Sequence, residues 1–574
     1  MNFCTDCGTK IQEGVAFCSN CGAKVNSESL PNPVSESTKT SFPSSQVGSS
    51  SSEHDWEAFF SPDANTSKIS GLAGKYGSDR KHCIVLTNRG KLREALEDKY
   101  LKFEIALRMH SLNRGLDGWR FHLLDLSSNR LGSVDGDNWK DCVKHLHQGV
   151  ERLHREGRAK VDAVFIVGDE SIIPMAVFDN PVPLGPDVDV DSDLPYSTLK
   201  TEDPFICSDA LEMKISVGRL PTGKLDRGSV GLNYFRHAGL FISQPIRGLK
   251  GFGVSAEVWQ DASHEVASQI GGISLQLSPE LSLEHLGDRM DLQSNYLYFN
   301  VHGSDMDKYW YGESIVEGCV PVASPGNFSQ LTVPNALATE ACYGARFIGL
   351  DSSDSCLRSA LGHKTLAFSG SSRIAYGPSG TPIALADLIA QHFLSSTKSG
   401  ETFGASFTHA RLKVLDKDYL TPHDLLTAVE FNLFADPTLT LPSTSSTKAT
   451  NSSHSSSKTG AKPTRSLRDP LSSVRSSLSQ SSRGLRVRMP DVLGDVRASL
   501  DATWAGIRDR LIDNIHKSDP NLSDTKPHAR LLKTGLTRTE ILQLSVFKKE
   551  KSLFIGRVIY ADRSGKILEE LRPK

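Results

Sequence analysis

Between residues 83 and 372, eight strand-like apolar runs alternate with helical stretches. The runs are CIVLTN (83–88), RFHLLDL (120–126), AVFIVGD (163–169), MKISVGRLP (213–221), GFGVSAE (251–257), YLYFNVHG (296–303), ALATEACYG (336–344) and TLAFSGSS (365–372). Helices are expected between them, at 89–109, 138–156, 225–242 and 262–271. This alternation predicts an α/β domain whose mostly parallel sheet is flanked by helices. The domain spans about 56–442, long enough to bury a large core or two packed subdomains.

Composition separates the remaining segments. Residues 26–55 are rich in Ser and Pro, and 443–489 in Ser and Arg; both read as disordered linkers. The arginines of the second, Arg465 to Arg488, fit a solvated basic linker or a processing site. Residues 490–574 predict a small α+β module. Its helix is expected at 491–516, with Val492, Val496, Leu500, Trp504, Ile507, Leu511 and Ile515 on one apolar face. Two or three strands follow, with a turn at DRSG.

Residues 1–25 hold Cys4, Cys7, Cys18 and Cys21 in a C-x2-C-x10-C-x2-C pattern, each pair followed by Gly. Two residues between cysteines let one tight turn aim both thiolates at one ion. Two such turns make a tetrahedral sulfur site suited to structural Zn2+, with no position left open for catalysis. The segment resembles a short zinc ribbon.

The chain carries 65 basic and 67 acidic side chains, a formal net charge of −2. No global charge therefore points to nucleic acid, and Lys10 and Lys24 give the ribbon little basic character. No segment reaches the ~18 consecutive apolar residues of a membrane span. The start of the chain lacks a secretion-signal pattern, which predicts a cytoplasmic setting. There the ten cysteines serve as ligands, nucleophile or core residues rather than disulfides.

Two apolar runs end in chemically able residues. YLYFNVHG ends at His302–Gly303, and ALATEACYG passes Cys342 on the way to Gly344. If the strands are neighbours, an imidazole and a thiol share one sheet edge, as thiol catalysis requires. Backbone N–H groups at the Cys342 turn and at Gly303 could then hold an oxyanion. Glu340, two residues before Cys342, points to the same side; it could select a basic substrate residue or pair with a local cation. Asp187, Asp189, Asp191 and Asp193 alternate in GPDVDVDSDLP and could gather Ca2+, though the EF-hand glycine and twelfth-position acid are missing; a solvated loop is the simpler reading.

Several motifs in order, AVFIVGDESIIP, SDLPYSTLKTEDPF, MKISVGRLPTG, NVHGSDMDKYW, TEACYGARF, AFSGSSRIAYG and FNLFADPTLTLP, resemble those of gingipain-type cysteine peptidases, which share the caspase-like fold. Gly344 falls one place earlier than in that pattern. The resemblance implies Cys342 as nucleophile, His302 as general base and then acid, and a thioester acyl-enzyme on the way to cleaving a protein or peptide substrate. Gly303 and the Cys342 backbone would hold the oxyanion. Asp261, or Glu257, is the best match for an acid that orients the imidazole, with a solvated acid as the alternative. Trp310, Tyr311 and Tyr376 are candidate pocket walls, or plain packing aromatics. A soluble protease must be restrained, so a regulatory protein partner is expected at the ribbon or the C-terminal module. The rival reading is a catalytically silent caspase-like scaffold that binds partners through those two segments.

Overall fold

A computed structural model describes residues 80–128, 134–155, 160–182, 187–242, 248–288, 293–378, 380–417, 419–441, 491–496, 500–534, 540–550 and 553–574, together with the backbone of 2–3 and 10–11. Cys4, Cys7, Cys18, Cys21 and both expected linkers lie outside the described residues. The chain divides into two compact units, Met1–Asp55 and Trp56–Lys574. In the first, Asn2–Phe3 pairs antiparallel with Lys10–Ile11.

The second unit opens with four parallel strands, β1 (Lys81–Thr87), β2 (Trp119–Asp125), β3 (Val161–Val167) and β4 (Ser216–Leu220), in the order β2-β1-β3-β4. Cys83, Ile84, Val85 and Leu86 are all buried, as are Val164 to Val167. Such unbroken apolar strands are what a sheet covered on both faces requires.

The chain then builds a six-stranded sheet. Its strands β5 (Gly251–Ala256), β6 (Ile273–Ser278) and β7 (Tyr296–Asn300) precede a hairpin of β8 (Trp310–Ser314) and β9 (Gly318–Ala323). After it come β10 (Asn335–Thr339), β11 (Thr365–Ser371), β12 (Tyr376–Pro378), β13 (Tyr419–Leu420) and β14 (Phe431–Ala435). The order is β6-β5-β7-β10-β11-β14, parallel except for β14. Helix Gln260–Ile270 packs with Ala386–Lys398, and Ser229–Ile242 with Cys356–Gly362. The α/β class expected from the alternation is the one observed.

Buried polar clamps tie the two sheets together. His110 Nε2 bonds Asp436 Oδ2 at 2.6 Å, and Arg114 donates to the Thr438 carbonyl at 2.6 Å, both just beyond β14.

The C-terminal segment departs from expectation. Asp491–Val496 is a strand, β15, and the helix starts only at Ala502, running to Ser518. Gly494 weakens a helix there, whereas Asp501 supplies the N-cap by accepting from Trp504 N at 3.0 Å. Trp504, Ile507, Leu511 and Ile515 do form the buried face. Strands β16 (His528–Thr534), β17 (Glu540–Glu550), β18 (Leu553–Ala561) and β19 (Ile567–Pro573) follow. They share one sheet with the preceding domain, in the order β12-β19-β18-β17-β16-β15-β13. Among the described residues, no helix is long and apolar enough to cross a membrane.

Candidate active site

Strands β7 and β10 run side by side with Tyr296 opposite Ala336 and Phe299 opposite Thr339. The pairing ends with Glu340 N donating to Phe299 O at 2.8 Å, and beyond it the chain after His302 comes against the turn at Cys342. The backbones converge there. A methyl group on Gly303 would come within 1.7 Å of the Cys342 carbonyl oxygen, so only glycine fits.

His302 is fixed by the hairpin. Its N–H and carbonyl exchange hydrogen bonds with Tyr311 at 2.8 Å each, and its Nε2 meets Glu313 Oε2 at 2.8 Å. Burial alone would raise the Glu313 carboxyl, but the His302 contact outweighs it and holds the carboxyl below its ordinary range. The His302 ring lies 4.4 Å, centroid to centroid, from that of the buried Trp259. The expected orienting acids stand elsewhere: Glu257 and Asp261 are exposed where the Gln260–Ile270 helix begins. The acid on the imidazole is Glu313, eleven residues after His302 and brought back by the hairpin. Its signal in the sequence was an acid on a strand of alternating burial, WYGES.

Cys342 follows the end of β10 in a tight turn. Gly344 N donates to Ala341 O at 2.9 Å, and Tyr343 adopts a positive φ of 53°. A bulky residue rarely adopts that conformation. Here the Tyr343 N–H donates to Arg373 O at 2.7 Å and its hydroxyl to Asp187 Oδ1 at 2.6 Å. The thiol is 2% exposed, 3.6 Å from the Ala375 carbonyl oxygen, and burial pushes it well above its ordinary pKa.

Strand β19 and Lys574 lie over this turn. Strand β19 pairs antiparallel with β12, Pro573 opposite Tyr376 and Leu571 opposite Pro378. Lys574 N donates to Ala375 O at 2.9 Å, and Lys574 O accepts from the Cys342 N–H at 2.8 Å. The Lys574 ammonium is fully buried, 2.7 Å from Glu340 Oε2 and 2.6 Å from Asp387 Oδ1. It lies 5.2 Å from the centre of the Trp259 ring. Gly377 leaves room for its stem, since a methyl group there would come 2.1 Å from Lys574 Cε. Glu340 Oε1 accepts from the Tyr298 hydroxyl at 2.8 Å. Burial pushes the Glu340 carboxyl well up, reinforced by the charge of Asp387 and opposed by Lys574. Burial would lower Lys574, yet the two carboxyls raise it.

Glu340 thus meets a cation, as its side of the strand suggested. Asp387, Trp259 and Lys574 were missed. Asp387 left one trace, an acid opening an otherwise apolar helix, ADLIAQHF. Trp310 packs against Phe299 at 5.3 Å and Phe328 at 5.1 Å, and borders a small cavity with Tyr343 and Gly344. The Tyr376 ring lies against His423 at 4.5 Å, so its backbone rather than its ring borders the cleft. Tyr311 gives its hydroxyl to Asp307 at 2.8 Å.

The alternating aspartates do not form a Ca2+ loop. Asp187 accepts from Tyr343 and from Ile374 N, Asp189 and Asp191 pair with Arg373, and Asp193 with Arg219. Their oxygens already face donors of the fold. Among the described residues, the group with metal-ligand spacing is His302, Glu313 and Cys319, their ligand atoms within 4.8 Å of one another.

Residues 3–25 match the zinc-ribbon domain family. The comparison with curated proteins returned no match. Among solved structures, the chain is similar to the Arg-specific cysteine proteinase gingipain R, at 14% identity and a TM-score of 0.42, over 63% of this chain and 78% of that one. It is similar to the complex of Porphyromonas gingivalis RgpB pro- and mature domains, at 14% identity and a TM-score of 0.44, over 63% and 79%. A third structure, described only as a protease, is 12% identical with a TM-score of 0.42, over 86% of this chain and 91% of that one. The named structural neighbours are gingipain R cysteine proteinases.

Proposed function

We propose that the chain is a cysteine endopeptidase that cleaves on the carboxyl side of lysine. One observation carries this reading: a main-chain oxygen rests on the N–H of Cys342 while the lysine side chain of that same residue fills a pocket of two acids. In a bound substrate, His302 takes the Cys342 proton and the thiolate attacks the lysyl carbonyl carbon. The resulting oxyanion is held by the Cys342 N–H, with Gly303 alongside. His302 then gives its proton to the leaving amine, which departs as the thioester forms. Water, deprotonated by His302, releases the lysyl carboxylate and restores the thiol. Glu313 keeps the imidazole oriented and stabilises its charged form. Trp259 shields both His302 and the lysine ammonium from water.

Lysine fits better than other side chains because the pocket offers two carboxyl oxygens to a compact ammonium and an aromatic ring beside it. The backbone edge of β12 would align the residues before that lysine by strand addition. In the ribbon, the four thiolates of Cys4, Cys7, Cys18 and Cys21 suit one structural Zn2+ by number and softness. It takes no part in the steps above, and metal analysis of the purified protein tests it.

The decisive assay exposes the Lys574→Ala chain, with and without Cys342→Ala, to a proteome-derived peptide library. New termini after lysine that vanish with Cys342→Ala are expected. New termini that persist in both, or none in either, reject the reading.

A further inference from the structure

The cleft already holds a strand, and that strand belongs to the chain itself. Leu571 to Lys574 lie along β12 in the register a peptide would take, and four separate contacts seat the last residue. Its N–H bonds Ala375, its carbonyl oxygen bonds the Cys342 N–H, and its ammonium pairs with both Glu340 and Asp387. A strand that only completes a sheet has no need to bury an ammonium completely, because water solvates that group better than an apolar interior does. A specificity pocket does need such a cation.

We propose that β19, with Lys574, is a built-in, substrate-like occupant of the cleft, which keeps Cys342 closed until a competing lysine-bearing strand displaces it. This deepens the peptidase reading above and rests on it for the name of the cleft. Occupation is set by the seven-stranded sheet. Buried Leu571 anchors the last turn of the strand, β18 supports it, and Lys417 ties Glu569 at 3.4 Å. Because the occupant is tethered, its effective concentration at the cleft is high, on the order of millimolar for a short flexible connection and higher for a docked strand. A free lysyl peptide must therefore be abundant or tight-binding to open the site.

The test reads occupancy without relying on turnover. Full-length protein and Lys574→Ala are treated with iodoacetamide, and labelling of each cysteine is timed by peptide mapping. Cys342 should react at least tenfold faster in Lys574→Ala, and free Leu-Arg-Pro-Lys peptide should restore its protection. Cys83, buried in β1, reports folding and should react equally slowly in both proteins. The pair Glu340→Gln with Asp387→Asn empties the same pocket from the other side and should also speed Cys342 labelling. Equal Cys342 rates in all three proteins, or a peptide without effect, overturn the occupant whatever a peptide assay returns. Faster labelling without lysine-directed cleavage keeps the occupant and removes the peptidase reading.

Discussion

Two groups of buried acids differ in what neutralises them. Asp191 and Asp193 are paired with the partly exposed Arg373 and the fully buried Arg219. Glu340 and Asp387 are paired with Lys574, which follows β19, a strand paired between β12 and β18. The first arrangement is architecture. Arg219 gives two hydrogen bonds to Asp193, at 2.8 and 2.6 Å, and more to the carbonyls of Gly168 and Ile173, so nothing can leave without breaking the sheet. In the proposed reading the second is a binding site, whose cation withdraws with its strand when a substrate lysine replaces it. Burial with a detachable partner, rather than burial itself, marks the functional acids.

The sharpest way to break this contrast is to remove each cation in turn. Arg219→Met should destabilise the protein by about 3–5 kcal/mol, because it strands the buried Asp193 and two carbonyls. Lys574→Ala leaves a like-charged pair too, but Glu340 can keep a proton and water can enter the open cleft. Its stability loss should be much smaller, with Cys342 reactivity as the main change. Urea midpoints of the two variants at neutral pH measure the difference. Similar midpoints would mean that Lys574 is as architectural as Arg219.

The strand-end residues of the site were legible in the sequence, and the partners that neutralise either group of acids were not. Strand-ending His302 and Cys342 stood out because local patterns mark buried parallel strands and their last residues. Glu340 was legible for the same reason, through its two-residue spacing from Cys342. Glu313 and Asp387 come to the site through a hairpin and a helix, and no local periodicity reports which distant strand end they meet. Lys574 arrives from 232 residues beyond Cys342 by way of a sheet shared between two segments read as separate. Asp261 was chosen for its nearness to a strand end, where the hairpin placed Glu313 instead. The aspartate row read as a solvated loop, with Ca2+ as the alternative, because alternation shows the acids but not the Arg373 and Tyr343 that answer them.

A second comparison isolates the pocket's chemistry. In the Lys574→Ala background, Asp387→Asn should lower kcat/KM for lysyl peptides by roughly 30-fold or more, the equivalent of about 2 kcal/mol for truncating one partner of a buried charge pair. Asp189→Asn, which touches Arg373 at the partly exposed edge of the other group, should change it less than threefold. Steady-state kinetics on one lysyl peptide and its norleucine analogue decide the matter. If Asp387→Asn weakens both peptides equally, the acid supports the fold and does not read the lysine.

The smallest expected effect concerns how firmly the occupying strand is docked. Glu569, on β19, is pushed up to about 7, by burial first and by the charge of Asp424 next, with Lys417 opposing. It lines a cavity of about 570 Å3 with Asp424, Lys417 and Tyr560. A carboxyl raised in the folded chain binds its proton more tightly there than in the unfolded chain, so its contribution is fully present below the ordinary value of 4.5 and is lost as pH climbs through about 7. Glu569→Gln imitates the protonated side chain and should be insensitive to this titration. The Tm of wild type should therefore fall relative to that of Glu569→Gln between about pH 4.5 and 7, and the gap should stay constant above that window. A gap that widens instead as pH drops below 4.5 would show Glu569 held ionised by Lys417, making the contact a fixed ion pair like those of the aspartate row and removing pH as a lever on the occupied cleft.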